Sequence, residues 1–381
     1  MQRGLTLGKF APFHRGHQML VETALAEVDE LVVMVYATDV IDVPLQVLAR
    51  WILELYPAIR IIEAWDGPDG YGDTPEICRE QEDYIFMKLN GLRITHFYSS
   101  EFYGDHVSRA LGAVDRRIDE ARTVVPISGT TLREDYFAGR QYLAPAVYAD
   151  LITKVCFMGA PSTGKTTLAR TMAERHNTVW MPEYGAEYWL EHHVDRRISL
   201  DQFEEIAPEH NSREDALTLE SRKYLFCDTS PITTYVFAKD YHGVAGPILT
   251  RLAMEAEKRY DLYFLCDTDI PYADTWDRSG DQKRKWFQDQ IVGDLAERMV
   301  PFFRVSGTID ERVLQVDEVL RQYRKFGNVL DIRQSVSATD CHRSRRQTRV
   351  ANRVAGGFSP PVPTPPIKRV RTRRFPKNIE P

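Results

Sequence analysis

Two histidines stand where the first strand of the chain should end. Residues 8–17 read GKFAPFHRGH and follow a short apolar run. Side chains three positions apart at a helix start project from one face, beside the partial positive charge of the helix N-terminus. Donors in that setting are typical of a site for the α-phosphate of a nucleotide, because phosphate transfer depends on positioned donors and charge. His14 and His17 are therefore candidate catalytic residues.

The same segment allows other interpretations. Gly16 is expected to leave space for a nucleotide to approach the backbone. Zinc binding is one alternative for the two histidines, but the sequence offers no third ligand at metal spacing. A purely structural role for both histidines is the other alternative.

A second segment, residues 126–133, supports a phosphate site. It reads PISGTTLR and predicts a loop that opens a helix. The hydroxyls of Ser128 and Thr130, the backbone amides and the guanidinium of Arg133 are the donors that a triphosphate or a leaving pyrophosphate needs. Taken alone, the segment also fits an ordinary helix N-cap.

The sharpest motif is GAPSTGKT at residues 159–166, which fits GxxxxGK[ST] completely. An apolar strand pattern precedes it and a helical pattern follows, as a P-loop requires. Backbone N–H groups of such a loop cradle phosphate oxygens. The lysine reaches the β- and γ-phosphates, and the threonine hydroxyl binds Mg²⁺. The predicted ATP-binding residues are Gly159, Ser162, Thr163, Gly164, Lys165, Thr166 and Thr167.

Residues after the neighbouring strands favour a small-molecule kinase, and the lack of an NKxD-like motif argues against a GTPase. Asp228 ends an apolar run and is expected to hold Mg²⁺ through water; a helix N-cap is its alternative. Glu183 and Tyr184 follow another strand and are expected to contact the acceptor, although Glu183 also fits a surface helix cap. Arg278, in a basic segment, is expected on a lid over ATP, against the alternative of solvated surface.

Strand-like and helix-like segments alternate through about residue 325, which predicts right-handed crossovers and parallel sheets. The fold class is therefore α/β, with two doubly wound parallel-sheet domains at residues 1–150 and 151–327. The predicted strands are residues 3–8, 30–36, 60–64, 95–99, 154–158, 178–181, 223–227, 262–266 and 302–305.

Residues 328–381 form a proline-rich, basic tail, which is predicted to be disordered. From residue 333 onward it carries twelve Lys and Arg residues against two acids, whereas the whole chain has a net charge of −6. An acidic body is a poor nucleic-acid binder, so any such binding is expected from the tail. A solvated extension without a function is the alternative.

The 381 residues are 43% hydrophobic, as in soluble globular proteins. No apolar run approaches the roughly 18 residues of a membrane span, and a signal peptide is not evident. We therefore expect a cytoplasmic protein with no membrane partner. Cys156, Cys227 and Cys266 lie in apolar strand patterns and are expected to be reduced core residues. The sequence leaves the oligomeric state open, a homo-oligomer included.

The two N-terminal segments together resemble the signature pair of the nucleotidyltransferase superfamily, GxFxPxHxGH and ISxTxxR. With the P-loop downstream, the chain resembles the bifunctional NadR-type proteins, which join a nicotinamide mononucleotide (NMN) adenylyltransferase to a ribosylnicotinamide kinase. The resemblance covers roughly residues 1–325. It includes LARW at 48–51, YSSE at 98–101, EYGAEY at 183–188, FCDTS at 226–230 and DTWDRSG at 274–280.

For the first half, the resemblance implies that His14 and His17 contact the ATP phosphates. The residues implied to hold the triphosphate are Ser128, Thr130 and Arg133. Those implied to line the floor of the site are Gly8, Lys9 and Phe10, with Lys9 near phosphate. Those implied to lie near the nicotinamide nucleotide are Arg50 and Trp51.

For the second half, the resemblance implies kinase roles for Lys165, Thr166, Asp228, Glu183 and Arg278. Ala186 stands where arginine is common in the family, so this chain departs from the family at the kinase substrate contacts. Some family members carry an N-terminal helix-turn-helix repressor. This chain begins at the transferase strand, so a repressor role is not expected.

The resemblance implies two reactions that use ATP and Mg²⁺. The kinase would phosphorylate nicotinamide riboside to NMN, and the transferase would join NMN to the adenylyl group of ATP, giving NAD and pyrophosphate. Three alternatives stay open. One is a transferase with another phosphorylated acceptor, the second is a P-loop domain that only senses ATP, and the third is a regulator that binds nucleic acid through the tail.

Overall fold

The computed structural model describes residues 1–68, 70, 72–101, 103–195, 197–271 and 281–327, without the side chains of 281 and 282. Two predictions therefore lie outside the described residues: the lid arginine, Arg278, and the tail at 328–381.

Strands and helices alternate in the first half. The strands are β1 (Arg3–Gly8), β2 (Glu30–Tyr36), β3 (Arg60–Ala64), β4 (His96–Ser99) and β5 (Val114–Arg117). The α-helices are α1 (Arg15–Glu27), α2 (Leu45–Leu55), α3 (Pro75–Leu89), α4 (Gly104–Leu111), α5 (Gly129–Glu134) and α6 (Pro145–Leu151). The strands pair in parallel in the order β3-β2-β1-β4-β5, which places β1 at the centre.

The second half repeats this architecture. Its strands are β6 (Thr153–Met158), β7 (Trp180–Met181), β8 (Tyr224–Asp228), β9 (Leu262–Cys266) and β10 (Phe303–Val305). Its helices are α7 (Lys165–Arg175), α8 (Tyr184–His192), α9 (Leu200–Glu220), α10 (Pro231–His242), α11 (Pro247–Arg259), α12 (Asp281–Glu297) and α13 (Ile309–Gln322). The parallel order is β10-β9-β6-β8-β7, with β6 at the centre.

The predicted fold class is confirmed, because both sheets are parallel and flanked by helices. Central strands such as β2 and β9 are apolar almost throughout, as expected when helices cover both faces of a sheet. The sequence prediction missed β5, whose residues read VDRR. Charged side chains are common on edge strands, where they discourage pairing with another chain, and they hide the apolar pattern.

The two sheets lie in one compact unit and share buried side chains. The largest core cluster includes Phe13 and Leu48 from the first half and Cys156 and Leu265 from the second. The three strand cysteines are buried and free, as predicted. No helix in the described ranges has the length and apolar character of a membrane span. The division into domains at residue 150 stays a prediction.

The segment from α5 to β6 connects the halves. Leu143 forms an antiparallel backbone bridge with His14. On α6, the buried Tyr148 donates its hydroxyl to the carbonyl oxygen of Ser221, 2.5 Å away, at the end of α9. Lys325 donates to the carbonyl oxygen of Ile152, which leads into β6. These contacts attach the first half of the chain to the second half near the amino end of β6.

A buried carboxylate holds α9 to the sheet and to α11. Glu214 on α9 is 0% exposed. Its Oε1 lies 3.1 Å from Lys154 Nζ and 2.8 Å from Arg259 Nε. Its Oε2 accepts from the Tyr260 hydroxyl at 2.6 Å. Without this carboxylate, the exposed Asp215 is the only counter-charge among the described residues, at 3.3 Å from Lys154 and 2.7 Å from Arg259. The Tyr260 hydroxyl would also lose its acceptor.

Glu214→Ala should therefore lower the free energy of unfolding by about 3–5 kcal/mol, the usual loss when a buried ion pair is broken. Urea titration followed by circular dichroism measures it. Glu220→Ala, on the exposed last turn of the same helix, is the matched control and should change the value by less than about 0.5 kcal/mol. Equal effects of the two substitutions would contradict the assignment.

Candidate functional site

The first candidate site lies at the carboxyl end of β1. The strand order reverses between β1 and β4, because β2 and β3 lie on one side of β1 and β5 lies beyond β4. Ligands of open parallel sheets bind in the crevice outside the strand ends at such a point. Gly8 ends β1 there, and α1 begins at Arg15.

His14 and His17 cap α1 reciprocally. His14 is the N-cap residue, and its Nδ1 accepts from the backbone N–H of Gly16 at 3.1 Å. The Nδ1 of His17 accepts from the backbone N–H of His14 at 3.3 Å. A neutral imidazole carries its proton on one nitrogen only. Both Nδ1 atoms accept, so both protons lie on Nε2.

Both histidines are neutral near pH 7. The two rings stack with centroids 3.7 Å apart. Burial, and secondly the positive charge of Arg122, lowers the pKa of His14 to about 4. Burial also holds the pKa of His17 well below its usual value, with His14 and Arg122 as further causes. The pair therefore offers hydrogen-bond donors rather than positive charges.

Gly16 serves the histidines themselves. A Cβ at this position would lie 3.0 Å from Cε1 and 3.1 Å from Nδ1 of the His14 ring. Any larger residue would displace the capping ring. We expected the space beside Gly16 to admit a nucleotide; in the structure the His14 ring lies there.

Arg133 joins the two N-terminal motifs. Its Nη1 donates to the carbonyl oxygen of Ala11 at 2.7 Å, and its Nη2 donates to the Thr130 hydroxyl at 3.0 Å. Ser128 caps α5 and accepts from the backbone N–H of Thr131 at 3.1 Å. The structure therefore brings residues 8–17 and 126–133 together, although more than a hundred residues separate them in the chain.

The predicted floor residues follow β1. Phe10 has a left-handed backbone, with φ at 48°, and its ring meets His17 edge-on at 5.0 Å between centroids. A Cβ at Gly8 would lie 3.5 Å from that ring, an ordinary contact. Lys9, between them, is exposed.

Arg50 and Trp51 both lie on α2. Both side chains contact Asp150 on α6, Arg50 as an ion pair and Trp51 through its indole N–H at 2.6 Å. Trp51 is 1% exposed. In this structure the two residues tie α2 to α6. Their implied contact with a nicotinamide nucleotide stays a prediction.

The second candidate site is the loop after β6. Gly159, Ser162 and Gly164 all have left-handed or otherwise positive φ angles, at 142°, 59° and 81°. These conformations turn successive N–H groups toward the inside of the loop. Lys165, 7% exposed, folds over the loop and donates to the carbonyl oxygen of Ala160 at 3.1 Å.

Asp228 and Thr166 form an oxygen pair beside the loop. The Thr166 hydroxyl donates to Asp228 Oδ2 at 2.5 Å. Asp228 is fully buried, and its Oδ1 has no hydrogen-bond partner among the described residues. Burial raises the pKa of this carboxyl, while Lys165 and Thr166 act in the opposite direction. A hydroxyl beside an unsatisfied carboxylate oxygen fits the oxygen ligands that Mg²⁺ prefers.

Two residues that the sequence analysis missed hold the loop in shape. Gln288 on α12 accepts from the backbone N–H of Ala160 at 2.7 Å and donates to the carbonyl oxygen of Cys266 at 3.0 Å. Arg312 on α13 donates to the carbonyl oxygen of Thr163 at 2.6 Å. Both side chains are buried. A polar residue within a helix gives no local signal of such a distant contact.

A cavity of about 770 Å³ continues from the loop. Of the predicted acceptor residues, Glu183 lines it, whereas Tyr184 packs its ring under Arg213, 4.0 Å from the guanidinium. The sequence offered no indication of the aromatic side chains in the cavity wall, which are Trp189, Phe203, Phe237, Tyr241 and Phe287. Lys283 and Arg284, in the first turn of α12, also line the cavity.

Known proteins are similar to this chain over both of its halves. A family model described as an AAA domain matches residues 154–312. The NadR protein solved in complex with NAD and AMP-PNP is 20% identical, with a TM-score of 0.50, and the match covers 86% of this chain and 97% of that one. The NadR protein solved in complex with NR is also 20% identical, with a TM-score of 0.51, and the match covers 85% of this chain and 96% of that one. These likenesses concern the fold.

The sequence relatives decide the family. The trifunctional NAD biosynthesis/regulator protein NadR of Escherichia coli (strain K12) is 30% identical over 346 residues, which are 84% of this chain and 82% of the relative. This finding confirms the resemblance inferred from the motifs: the chain belongs to the NadR family.

Proposed function

We propose that this chain catalyses two successive steps of NAD biosynthesis. One site transfers the γ-phosphoryl group of ATP to nicotinamide riboside and forms NMN. The other transfers the adenylyl group of a second ATP to NMN and forms NAD and pyrophosphate. The observation that carries the proposal is the presence of two separate candidate phosphate sites, each following the central strand of a parallel sheet. The names and ligands of the NadR relatives support the choice of substrates.

In adenylyl transfer, an oxygen of the NMN phosphate bonds to the α-phosphorus as the bond from that phosphorus to the β-phosphate oxygen breaks. Pyrophosphate leaves with the electron pair. The Nε2–H donors of His14 and His17 stabilise the crowded α-phosphate in the transition state. Arg133, with the hydroxyls of Ser128 and Thr130, holds the remaining phosphates. Gly8, Lys9 and Phe10 form the floor, and Arg50 and Trp51 support the nicotinamide side.

In the kinase reaction, the riboside 5′-hydroxyl attacks the γ-phosphorus and ADP leaves. Glu183 accepts the proton or orients the hydroxyl. Lys165 and the loop amides neutralise the β- and γ-phosphates. Residues of the same loop that bind ATP are Gly159, Ser162, Thr163, Gly164, Thr166 and Thr167. Arg278, outside the described residues, is proposed to cover the transferring group.

Thr166 and Asp228 would hold Mg²⁺, Asp228 partly through water. When bound, the ion neutralises charge on the phosphates. The aromatic wall of the cavity suits the acceptor, because nicotinamide riboside carries a positively charged ring and aromatic faces attract cations. Asp240, which also lines the cavity, is ion-paired with Lys283 at 2.7 Å. We propose a cytoplasmic location for this chemistry, where the thiols of the buried cysteines stay reduced.

Product analysis tests the proposal. Purified protein should form NAD from NMN and ATP, and NMN from nicotinamide riboside and ATP, as followed by chromatography. A panel of other phosphorylated acceptors, such as pantetheine phosphate, is the control for acceptor choice. No NAD from NMN and ATP, with turnover of another acceptor, would overturn the transferase assignment.

His17→Ala should lower NAD formation from NMN and ATP by about 100-fold or more, the typical loss on removing one preorganised transition-state donor. Riboside phosphorylation by the same preparation should persist, because the second site is separate. Steady-state rates of both reactions measure the effect. Equal loss of both activities would mean that His17 acts through the fold.

Lys165→Ala should abolish most riboside phosphorylation, with a loss of about 100-fold or more, because the lysine neutralises the transferring phosphate. NAD formation from NMN and ATP should stay near the wild-type rate in the same sample. If riboside phosphorylation were unchanged, the loop would have a sensing role only.

The neutral histidines predict a specific pH dependence. With the pKa of His14 at about 4, kcat/KM for NAD formation should show no histidine inflection between pH 5 and 8. The lowered pKa of His14 also makes the free energy of unfolding depend on pH. The unfolded chain has an ordinary histidine pKa of about 6.5, so the contribution of neutral His14 is complete above pH 6.5 and is lost as the pH falls toward 4. An inflection near pH 6.5 that disappears in His14→Gln would contradict this account.

A further inference from the structure

The loop between β5 and α5 is fixed by one aspartate. Asp119 accepts from the backbone N–H groups of Thr123, Val124 and Val125 at 2.8 to 3.0 Å. Asp119 and Arg122 both have left-handed backbones, with φ at 46° and 52°. Non-glycine residues take this conformation only where surrounding contacts require it. The loop is therefore a built structure with Arg122 at a defined place.

The loop packs beside the histidine motif. Val125 is buried, and its Cγ1 lies 4.0 Å from the position of a Cβ on Gly16. The positive charge of Arg122 is a common cause of the lowered pKa of His14 and of His17. The loop that carries Arg122 therefore lies beside the histidine motif, although the motifs at 8–17 and 126–133 do not include this arginine.

In the structure the guanidinium is paired with a carboxylate of the neighbouring strand end. Arg122 Nη2 donates to Glu101 Oε1 at 3.1 Å. The two side chains are 47% and 40% exposed, and ion pairs as exposed as this one contribute little to stability. Glu101 itself is held, because its carbonyl oxygen accepts from Arg117 on β5. Arg122 can therefore leave Glu101 for a more highly charged partner with little loss of free energy.

We propose that Arg122 is a further catalytic residue of the adenylyl-transfer site, which contacts the departing pyrophosphate, and that Glu101 is its positioning residue. The proposal rests on the adenylyl transfer proposed above. Neutral histidines donate hydrogen bonds but bring no net charge to the phosphates, so a cation is needed where negative charge accumulates. Arg133 on α5 supplies one cation, and Arg122, in the loop that precedes α5, supplies a second.

Atoms and charge balance in the adenylyl-transfer step. The NMN phosphate oxygen forms the new bond to the α-phosphorus, and the α-phosphorus to β-oxygen bond breaks with its electron pair on pyrophosphate. Arg122 exchanges the Glu101 carboxylate for pyrophosphate oxygens and stays protonated throughout. No proton transfer to or from the guanidinium is required.

The test compares Arg122→Ala, Arg122→Lys and Arg60→Ala in the full chain. Arg60 is an exposed arginine at the start of β3, on the opposite edge of the same sheet, and is the control. We expect Arg122→Ala to lower kcat for NAD formation by about 100-fold. Arg122→Lys should recover part of the loss, because it keeps the charge but not the fork of donors. Arg60→Ala and the kinase activity of every variant should stay at wild-type values.

A second readout separates chemistry from structure. Nuclear magnetic resonance titration of the imidazoles, assigned with His14→Ala and His17→Ala, should show the pKa of His14 higher in Arg122→Ala than in wild type, since a positive charge is removed. Loss of NAD formation without this rise would assign Arg122 a purely structural role and overturn the proposal. So would an Arg122→Ala rate within twofold of wild type.

The role of Glu101 is tested in a double-mutant cycle. Glu101→Gln should lower kcat less than Arg122→Ala, and it should have no further effect in the Arg122→Ala background, because the two residues act as one unit. Independent, additive effects would overturn the positioning role. A wild-type protein that forms no NAD from NMN and ATP would refute the proposed function itself, whereas an active wild type with an indifferent Arg122 refutes only this inference.

Discussion

A buried parallel strand that runs into a helix leaves the first backbone N–H groups of that helix without partners in the helix. This constraint applies at the central strand of each sheet in this chain, and both candidate sites are solutions to it. After β6, the loop has positive φ angles at Gly159, Ser162 and Gly164, a conformation that turns its N–H groups inward. After β1, two imidazoles accept two of the N–H groups through Nδ1 and so carry their own protons on Nε2. The phosphate binding proposed for each junction thus rests on the way that junction satisfies its backbone.

The two junctions differ in where they keep their charge. At the P-loop the charge is internal, since Lys165 and Asp228 are both buried within one cluster. At the histidine junction His14 and His17 are neutral, and the positive charges belong to Arg122 and Arg133. The first arrangement suits a terminal phosphate that enters a closed pocket. The second suits an inner phosphate, which must remain accessible to an incoming nucleotide on one side and to departing pyrophosphate on the other.

The sequence contained most of the fold and the centre of each site. The apolar strands β2, β6 and β9 and the motif at 159–166 are local patterns whose physical meaning does not depend on distant residues. What escaped prediction depends on contacts between distant segments. The polar edge strand β5 has no apolar signature, and Gln288 and Arg312 are defined by the loop that they support. Gly16 was correctly singled out for its lack of a side chain, but only the structure assigns the space to the His14 ring.

Isotope tracing tests the central claim, that one site acts on the inner and the other on the outer phosphorus of ATP. Wild-type protein is supplied with nicotinamide riboside and ATP labelled with ³²P either at the α- or at the γ-position. The account predicts that both labels enter NAD, the γ-label through the phosphate of NMN and the α-label through the adenylyl group, with the NMN intermediate carrying the γ-label alone. Label from the α-position in NMN, or no γ-label in NAD, would contradict it.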